Sequence, residues 1–190
     1  MTEDILLIRQ VLQGNQLAFR QLVERYQSYV FTITFKVLKN RESAEEVAQD
    51  VFIKVYRMLG SYQQKSKFST WLYTVAYRAA LDEARKKKWY TDSIESDDSF
   101  LQIEDTNGKS PEHSTIQKDL KSVIQKALQY LKPVDGTIIT LFYLHEKSVQ
   151  EIADITGLSV SNIKTKLHRL REQLRISLIN QLQTEVKDLI

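Results

Sequence analysis

Along most of this chain apolar residues return every three or four positions, the spacing that lines one face of a helix. Ile5, Leu6, Ile8, Val11 and Leu12 outline a short amphipathic helix over 3–13, ended by Gly14. Asn15 can cap a long second helix with Phe19, Leu22, Val23, Tyr26, Val30, Ile33 and Val37 on its core side, and Asn40 is a plausible stop. Ser43 with Glu46 forms a capping-box pair, in which hydroxyl and carboxylate satisfy free N–H groups at a helix start. It opens a third helix through Val47, Val51, Phe52, Val55 and Leu59, closed by Gly60. A short polar loop, SYQQKSK, then leads to a helix that begins near Ser66 or Ser69 and reads FSTWLYTVAYRAALDEARKKKW. At 100° per residue, Phe68, Trp71, Leu72, Val75, Ala76 and Ala79 share one side of it. Trp71 is therefore expected in the core, and Tyr73 and Tyr77 on the opposite, exposed side.

Near the other end stands SVQEIADITGLSVSNIKTKLHRLREQL, residues 148–174, which reads as two helices with almost nothing between them. Ser148 and Glu151 are a second capping box. Gly157 ends the first helix, because a left-handed C′ residue is cheapest as glycine. Ser159 or Ser161 caps the next. Ala153 permits a close crossing, while Leu158, Ile163, Leu167 and Leu170 form the buried side of the second helix. This is the helix-turn-helix pattern, whose second helix enters the DNA major groove. The same pattern also suits an ordinary helical hairpin with a solvated basic face.

Composition narrows the classes. Only 5 Gly and 2 Pro argue against an all-β chain, which needs frequent turns. With 0 Cys there is no disulfide framework, zinc knuckle or thiol nucleophile. No apolar run approaches the roughly 18 residues of a membrane span, so no membrane insertion is expected. The acidic N-terminus does not resemble a signal peptide, and a cytoplasmic protein is expected.

The net charge of +3 is unevenly spread. Residues 1–88 hold 15 Lys and Arg against 9 Asp and Glu, residues 89–116 hold 1 against 7, and residues 117–190 hold 11 against 8. Two basic modules on an acidic tether suggest two polyanion-facing surfaces. The fold class that follows is all-α: a helical domain over 1–89, a flexible acidic linker over 90–113 and a second helical domain over 114–190 that contains the helix-turn-helix. Within the linker Phe100, Leu101 and Ile103 form a small apolar island that suits docking or a plain solvated spacer equally.

Three surfaces are candidates for function. Exposed Tyr73 and Tyr77 beside Arg85, Lys86, Lys87 and Lys88 suit single-stranded nucleic acid, whose bases stack on rings while cations follow phosphates. Two surface tyrosines and a basic helix end favoured by the macrodipole are the plainer alternative. Glu42, Glu45, Glu46, Gln49 and Asp50 would repel DNA, and with Phe52, Ile53 and Tyr56 they suit a protein partner or a solvated helix start. The third surface is the basic helix with Lys164, Lys166, His168, Arg169 and Arg171.

In this order the pieces resemble the extracytoplasmic-function (ECF) sigma factors of bacterial RNA polymerase, over nearly the whole chain. AEEVAQDVFIKVYRML is similar to the family's polymerase-binding helix, and FSTWLYTVAYRAALDEARKKK to its promoter-melting and −10-reading helix. LKPVDGTIITLFYLHEKSVQEIADITGLSVSNIKTKLHRLREQL is similar to its −35-reading domain. The resemblance implies a subunit that binds core RNA polymerase and directs promoter-specific initiation, with no reaction of its own. It implies that Glu46, Gln49, Asp50, Ile53 and Tyr56 contact core polymerase. Ser61, Tyr62, Gln63, Gln64 and Lys65 match the segment that captures a flipped base of the melted −10 strand, where a polar pocket and an aromatic wall are needed. Ser159, Ser161, Asn162, Lys164, Thr165, Lys166, Arg169 and Arg171 match the helix that reads duplex −35 DNA, and His168 faces the groove or a phosphate beside them. Two DNA elements about two helical turns apart need two modules on a tether, and a flexible tether permits an anti-sigma factor to bind between them without demanding one. Relatives commonly carry glycine before the helix-turn-helix, whereas Glu146-Lys147-Ser148 has none.

Two other classes fit less well. A stand-alone helix-turn-helix regulator leaves the Tyr73, Tyr77 and 85–88 surface unexplained. An enzyme lacks an assembled constellation: His113, His145 and His168 are isolated, and no glycine-rich phosphate loop is present. No cofactor or metal is expected.

Overall fold

In a computed structural model of the chain, residues 3–94 and 131–187 are described, with side chains for 3–87, 131–176 and residue 179. Every regular element among them is helical. Most of the expected linker, with its apolar island, and the beginning of the C-terminal domain lie outside the described residues.

Helix α1 (Glu3–Leu12) packs on α2 (Gln16–Leu38), which in turn supports α3 (Arg41–Met58) and α4 (Phe68–Ile94). One 3-10 turn, Leu59–Ser61, ends α3. In the C-terminal half α5 (Pro133–Ile139) runs into a single π-helical turn, Thr140–Leu144, before α6 (Val149–Thr156) and α7 (Val160–Lys187).

The caps explain most boundaries. Asn15 accepts hydrogen bonds from the N–H groups of Leu17 at 3.0 Å and Ala18 at 3.3 Å. Ser148 and Glu151 form the reciprocal capping box, and Gly157 closes α6 at φ 75°. Ser159 Oγ accepts from Asn162 N–H at 3.3 Å, which makes it the cap of α7. The start of α3 differs from expectation. Its cap is Asn40, which accepts from Ser43 N–H at 2.9 Å, while Ser43 sits inside the first turn. Lys39, left-handed at φ 57°, ends α2 and reverses the chain so tightly that the stop residue is also the next start. Helix α4 also outruns the expected boundary at 89, because no Gly or Pro stands between Gly60 and Gly108 to end it.

Leu22, Val30 and Ile33 of α2, Val51 of α3 and Leu72 and Ala76 of α4 are almost wholly buried. So are Ile138, Leu141, Ile152, Ile163 and Leu170 in the C-terminal half. Burying each Leu or Ile contributes about 1.5–3 kcal/mol. These residues belong to one continuous cluster, because α5 lies on α2 and α6 lies on α4.

That packing corrects the reading of α4. Tyr73 and Tyr77 are each 3% exposed, not solvent-facing, and Trp71 is half-buried rather than central. The face count assumed one covered side, whereas α4 is covered by α2 and α3 on one flank and by α6 on another.

Candidate functional site

The helix-turn-helix is built as its sequence demands, and α7 presents a polar face. Ser159, Ser161, Asn162, Lys164, Thr165, His168 and Arg169 are exposed, opposite the buried row of Ile163, Leu167 and Leu170. Thr165 Oγ1 donates back to Ser161 C=O at 3.0 Å, which fixes its hydroxyl at the first turns. Two expected members stand apart. Lys166 Nζ lies 2.7 Å from Asp135 Oδ1, with the two side chains only 22% and 9% exposed, so its charge ties α7 to α5. Arg171 Nε donates to Tyr143 Oη at 2.7 Å, and its guanidinium lies 5.5 Å from the Phe142 ring centre. Both sit at the edges of the exposed arc, where the neighbouring helix is within reach. The outward cations are Lys164 and Arg169, with His168 between them.

On α3 the residues Glu46, Gln49, Asp50, Ile53 and Tyr56 are all exposed, and the rows Glu46–Asp50–Ile53 and Gln49–Ile53–Tyr56 are spaced at four- and three-residue steps along one face. Ile53 is 51% and Tyr56 46% exposed, a concentration of apolar area beside carboxylates that suits a protein surface. Beside this stripe a cleft of about 350 Å³ opens between α2 and α3, lined by Val23, Phe31, Ala48, Gln49 and Phe52. Phe31 stacks on Phe35 with ring centres 5.8 Å apart. That pair was missed, and only the surplus of aromatics on α2 signalled it.

The loop before α4 is held from within. Tyr62 Oη donates to Ser66 C=O at 2.6 Å, and its ring lies 5.3 Å from Trp71 and 5.6 Å from Phe68. Gln64 adopts φ 57° at the tip, and Ser61, Gln63, Gln64 and Lys65 are exposed around the aromatic wall. Farther along α4, Arg85 pairs with Asp82 at 3.4 Å and Lys86 with Glu83 at 3.6 Å. Lys87 donates to Ser43 Oγ, and the Lys88 side chain lies outside those described.

A polar contact joins the halves, and it too was missed. Lys147 Nζ donates to Ser69 Oγ at 2.5 Å, and Thr70 Oγ1 donates to Glu151 Oε1 at 2.9 Å. Burial opposes the charge of Glu151, yet hydrogen bonds from Ser148 and Thr70, with Lys147 nearby, hold its carboxyl down at about 2. His145 packs edge-on to Tyr29 at 4.8 Å and Tyr73 at 5.2 Å. Burial, reinforced by Lys147, lowers that imidazole to about 4, and burial pushes the Tyr73 hydroxyl up. In the sequence Glu151 reads only as half of a capping box, and nothing marks it as shared.

Known proteins with the same features identify the family. Residues 22–90 match the Sigma-70 region 2 model, and residues 121–174 match the Sigma-70, region 4 model. The chain is 36% identical over 174 residues to the ECF RNA polymerase sigma factor SigW of Bacillus subtilis (strain 168), covering 88% of this chain and 92% of SigW. Among solved structures it shares its fold with CnrH in complex with the cytosolic domain of CnrY, at a TM-score of 0.65 and 21% identity over 94% of this chain and 99% of that one. The sigma factor RpoE of Bartonella quintana, in complex with the anti-sigma factor NepR, matches at a TM-score of 0.63 and 20% identity over 84% and 96%. With both sigma regions present in order, the chain belongs to the ECF sigma factors, non-catalytic subunits that join core RNA polymerase and direct promoter-specific initiation of transcription.

Proposed function

We propose that this sigma factor divides its work among three surfaces. The α3 stripe of Glu46, Gln49, Asp50, Ile53 and Tyr56 docks on core polymerase. The loop from Ser61 to Lys65 takes a flipped base of the melted −10 strand against the Tyr62 ring. Its neighbours Arg85 and Lys86 follow the phosphates of that strand. The α7 face of Ser159, Ser161, Asn162, Lys164, Thr165, His168 and Arg169 reads duplex −35 DNA in the major groove.

The observation that carries the reading is the exposed polar arc on α7, seated on a fully capped helix-turn-helix whose opposite side is buried. Arg169 is the leading base reader, since it is exposed in the groove-facing arc, and Lys166 is a structural contact that adds charge from the side. The α3 stripe also offers an anti-sigma factor a way to keep the chain from polymerase. Action in the cytoplasm accords with this role, and among the described residues no helix is long and apolar enough to cross a membrane.

Gel filtration with bacterial core RNA polymerase tests the docking surface. The parent chain is expected to co-elute, and a variant with Glu46→Lys and Asp50→Lys is expected not to. Co-elution of both would remove the α3 assignment. Exchange of the Ser61–Lys65 loop for that of a relative should alter −10 preference while leaving co-elution intact, and an unaltered preference would remove the flipped-base assignment.

A further inference from the structure

Two cations border the polar arc of α7, and they are tied to their neighbours by different means. Lys166 is held by the Asp135 carboxylate, which answers much of its charge. Arg171, at the other border, is held by groups that carry no charge. Its Nε donates to Tyr143 Oη at 2.7 Å. Its guanidinium carbon lies 5.5 Å from the Phe142 ring centre and 6.0 Å from that of Tyr143. At such distances a cation rests favourably on aromatic rings. No carboxylate among the described residues pairs with Arg171, and its neighbour Glu172 is engaged by Arg175 at 3.4 Å. The guanidinium is therefore fixed in place with its charge whole. Its Nε is used, while its two Nη groups are left for an acceptor from outside. Tyr143 Oη, having accepted from Arg171, keeps its own hydrogen to donate.

The rings stand on the π turn. Its closing bond runs from His145 N–H to Thr140 C=O at 3.2 Å, one residue longer than an α turn. Thr140 and Leu141 are buried, whereas Phe142 is half-buried and Tyr143 is 50% exposed. The two rings meet edge to face, with centres 5.0 Å apart and planes at 77°. Rings so open to solvent add little to the core, and their placement points to what the cation they hold can meet.

Position on the arc indicates what that is. Lys164, His168 and Arg171 form one row at steps of four and three, and Arg171 adjoins the buried row of Leu167 and Leu170. An α-helix about 10–12 Å across fills a major groove about 12 Å wide. The middle of its exposed face then meets base edges, and its borders meet the phosphates of the groove walls. Arginine suits that border, because its planar fork matches two phosphate oxygens at once.

We propose that Phe142 and Tyr143 form an aromatic cradle that holds the Arg171 guanidinium ready for a backbone phosphate of the −35 duplex. Arg171 makes the contact, and the two rings are positioning residues. The anchor adds affinity and fixes the register of α7 without selecting any base. It rests on the assignment of α7 to duplex −35 DNA.

The test uses the full-length chain assembled with core polymerase. Its probes are a duplex enriched by that assembly from a random-sequence pool and the single-base variants of that duplex. Arg171→Ala should weaken binding several-fold, to the same extent on every duplex, and should lower the salt dependence of log affinity by about one. Tyr143→Phe, which keeps the ring and removes the hydroxyl, should give a smaller loss that is likewise uniform. Phe142→Leu with Tyr143→Leu should lose most of what Arg171→Ala loses, and adding Arg171→Ala to that pair should then change little. Thermal unfolding of each variant separates a lost fold from a lost contact. An Arg171→Ala chain that melts earlier but binds with unchanged affinity and salt dependence overturns the anchor. Undiminished binding by Tyr143→Phe, or an Arg171 effect that survives in the leucine pair, overturns the cradle. Lys164→Ala and Arg169→Ala probe the underlying reading. If they weaken binding while Arg171→Ala does not, only the anchor falls. If none of the three alters binding, the assignment of α7 to DNA falls with it.

Discussion

Helices α4 and α7 are alike in outline, long and amphipathic with basic residues on the polar side, yet on α4 the side that carries Tyr73 and Tyr77 is covered as well. On α7 the buried row and the polar arc fall where a single covered face puts them. On α4 the same reasoning sends Tyr73 to the wrong environment, because a second body arrives on the far side. Periodicity within a helix reports its nearest support, and it is silent about a partner some eighty residues away in the chain.

The strongest way to break this comparison is through the core the two helices share. Leu72→Ala on α4 and Ile163→Ala on α7 should each cost about 2–5 kcal/mol, as buried large-to-small changes do. If the halves unfold as one body, urea denaturation will show a single transition lowered by both. Two transitions, each moved by only one variant, would divide them.

Smaller changes sharpen the division within α7. Arg169→Ala should weaken −35 duplex binding by about 1–3 kcal/mol and alter discrimination at one position. Uniform weakening across sequences would assign it to phosphate instead. Lys166→Ala should cost a similar 1–3 kcal/mol, but in folding stability, since it leaves the Asp135 carboxylate without its cation. A competition assay and a denaturation curve on both variants would show whether the two costs fall on different properties.

The contact between the halves should respond to pH. His145 is neutral where Tyr29 of α2 and Tyr73 of α4 cover it, with Lys147 and Glu146 beside it and Arg25 lining the same cavity. Its value is lowered to about 4 from an ordinary 6.5, so the packing is at full strength above pH 6.5 and weakens as pH falls toward 4. Between pH 7.5 and 5.5 the stability this packing contributes should fall, by at most about 1.4 kcal/mol, since Lys147 stays beside the imidazole when the contact is lost. Glu151, held at about 2, keeps its charge throughout that window. Urea denaturation measured across the range, with His145→Phe removing the dependence, checks this.

The smallest effects concern the turn before α6. Ser148→Ala should cost about 1 kcal/mol through loss of the cap. Glu146 stands at φ 50°, in the left-handed region that glycine enters without steric cost, so Glu146→Gly should stabilise the chain by up to about 1 kcal/mol. Thermal unfolding resolves both signs.

Local chemistry was the legible part. Asn15, Ser148, Gly157 and Ser159 marked helix ends correctly, because each acts on backbone groups within four residues. The polar arc of α7 was legible for the same reason, as were the two sigma regions, whose motifs stand in order. Asn40 was misread as a stop only, since nothing local announces that Lys39 turns left-handed. Lys166 and Arg171 looked like free cations because Asp135 and Tyr143, their partners, are distant in sequence and carry no motif. The burial of Tyr73 depends on how two halves meet, and no periodicity encodes that.

The shared seam has a consequence for engineering. Sigma regions invite recombination, the reading half of one chain grafted to the melting half of another. Here Ser69, Thr70 and Tyr73 are fitted to His145, Lys147 and Glu151, so a graft that moves one trio without the other strands a charged amine against an unmatched wall. Hybrids of this chain should therefore be cut so that both trios come from one parent, with new promoter preference introduced through the outward arc of α7 alone.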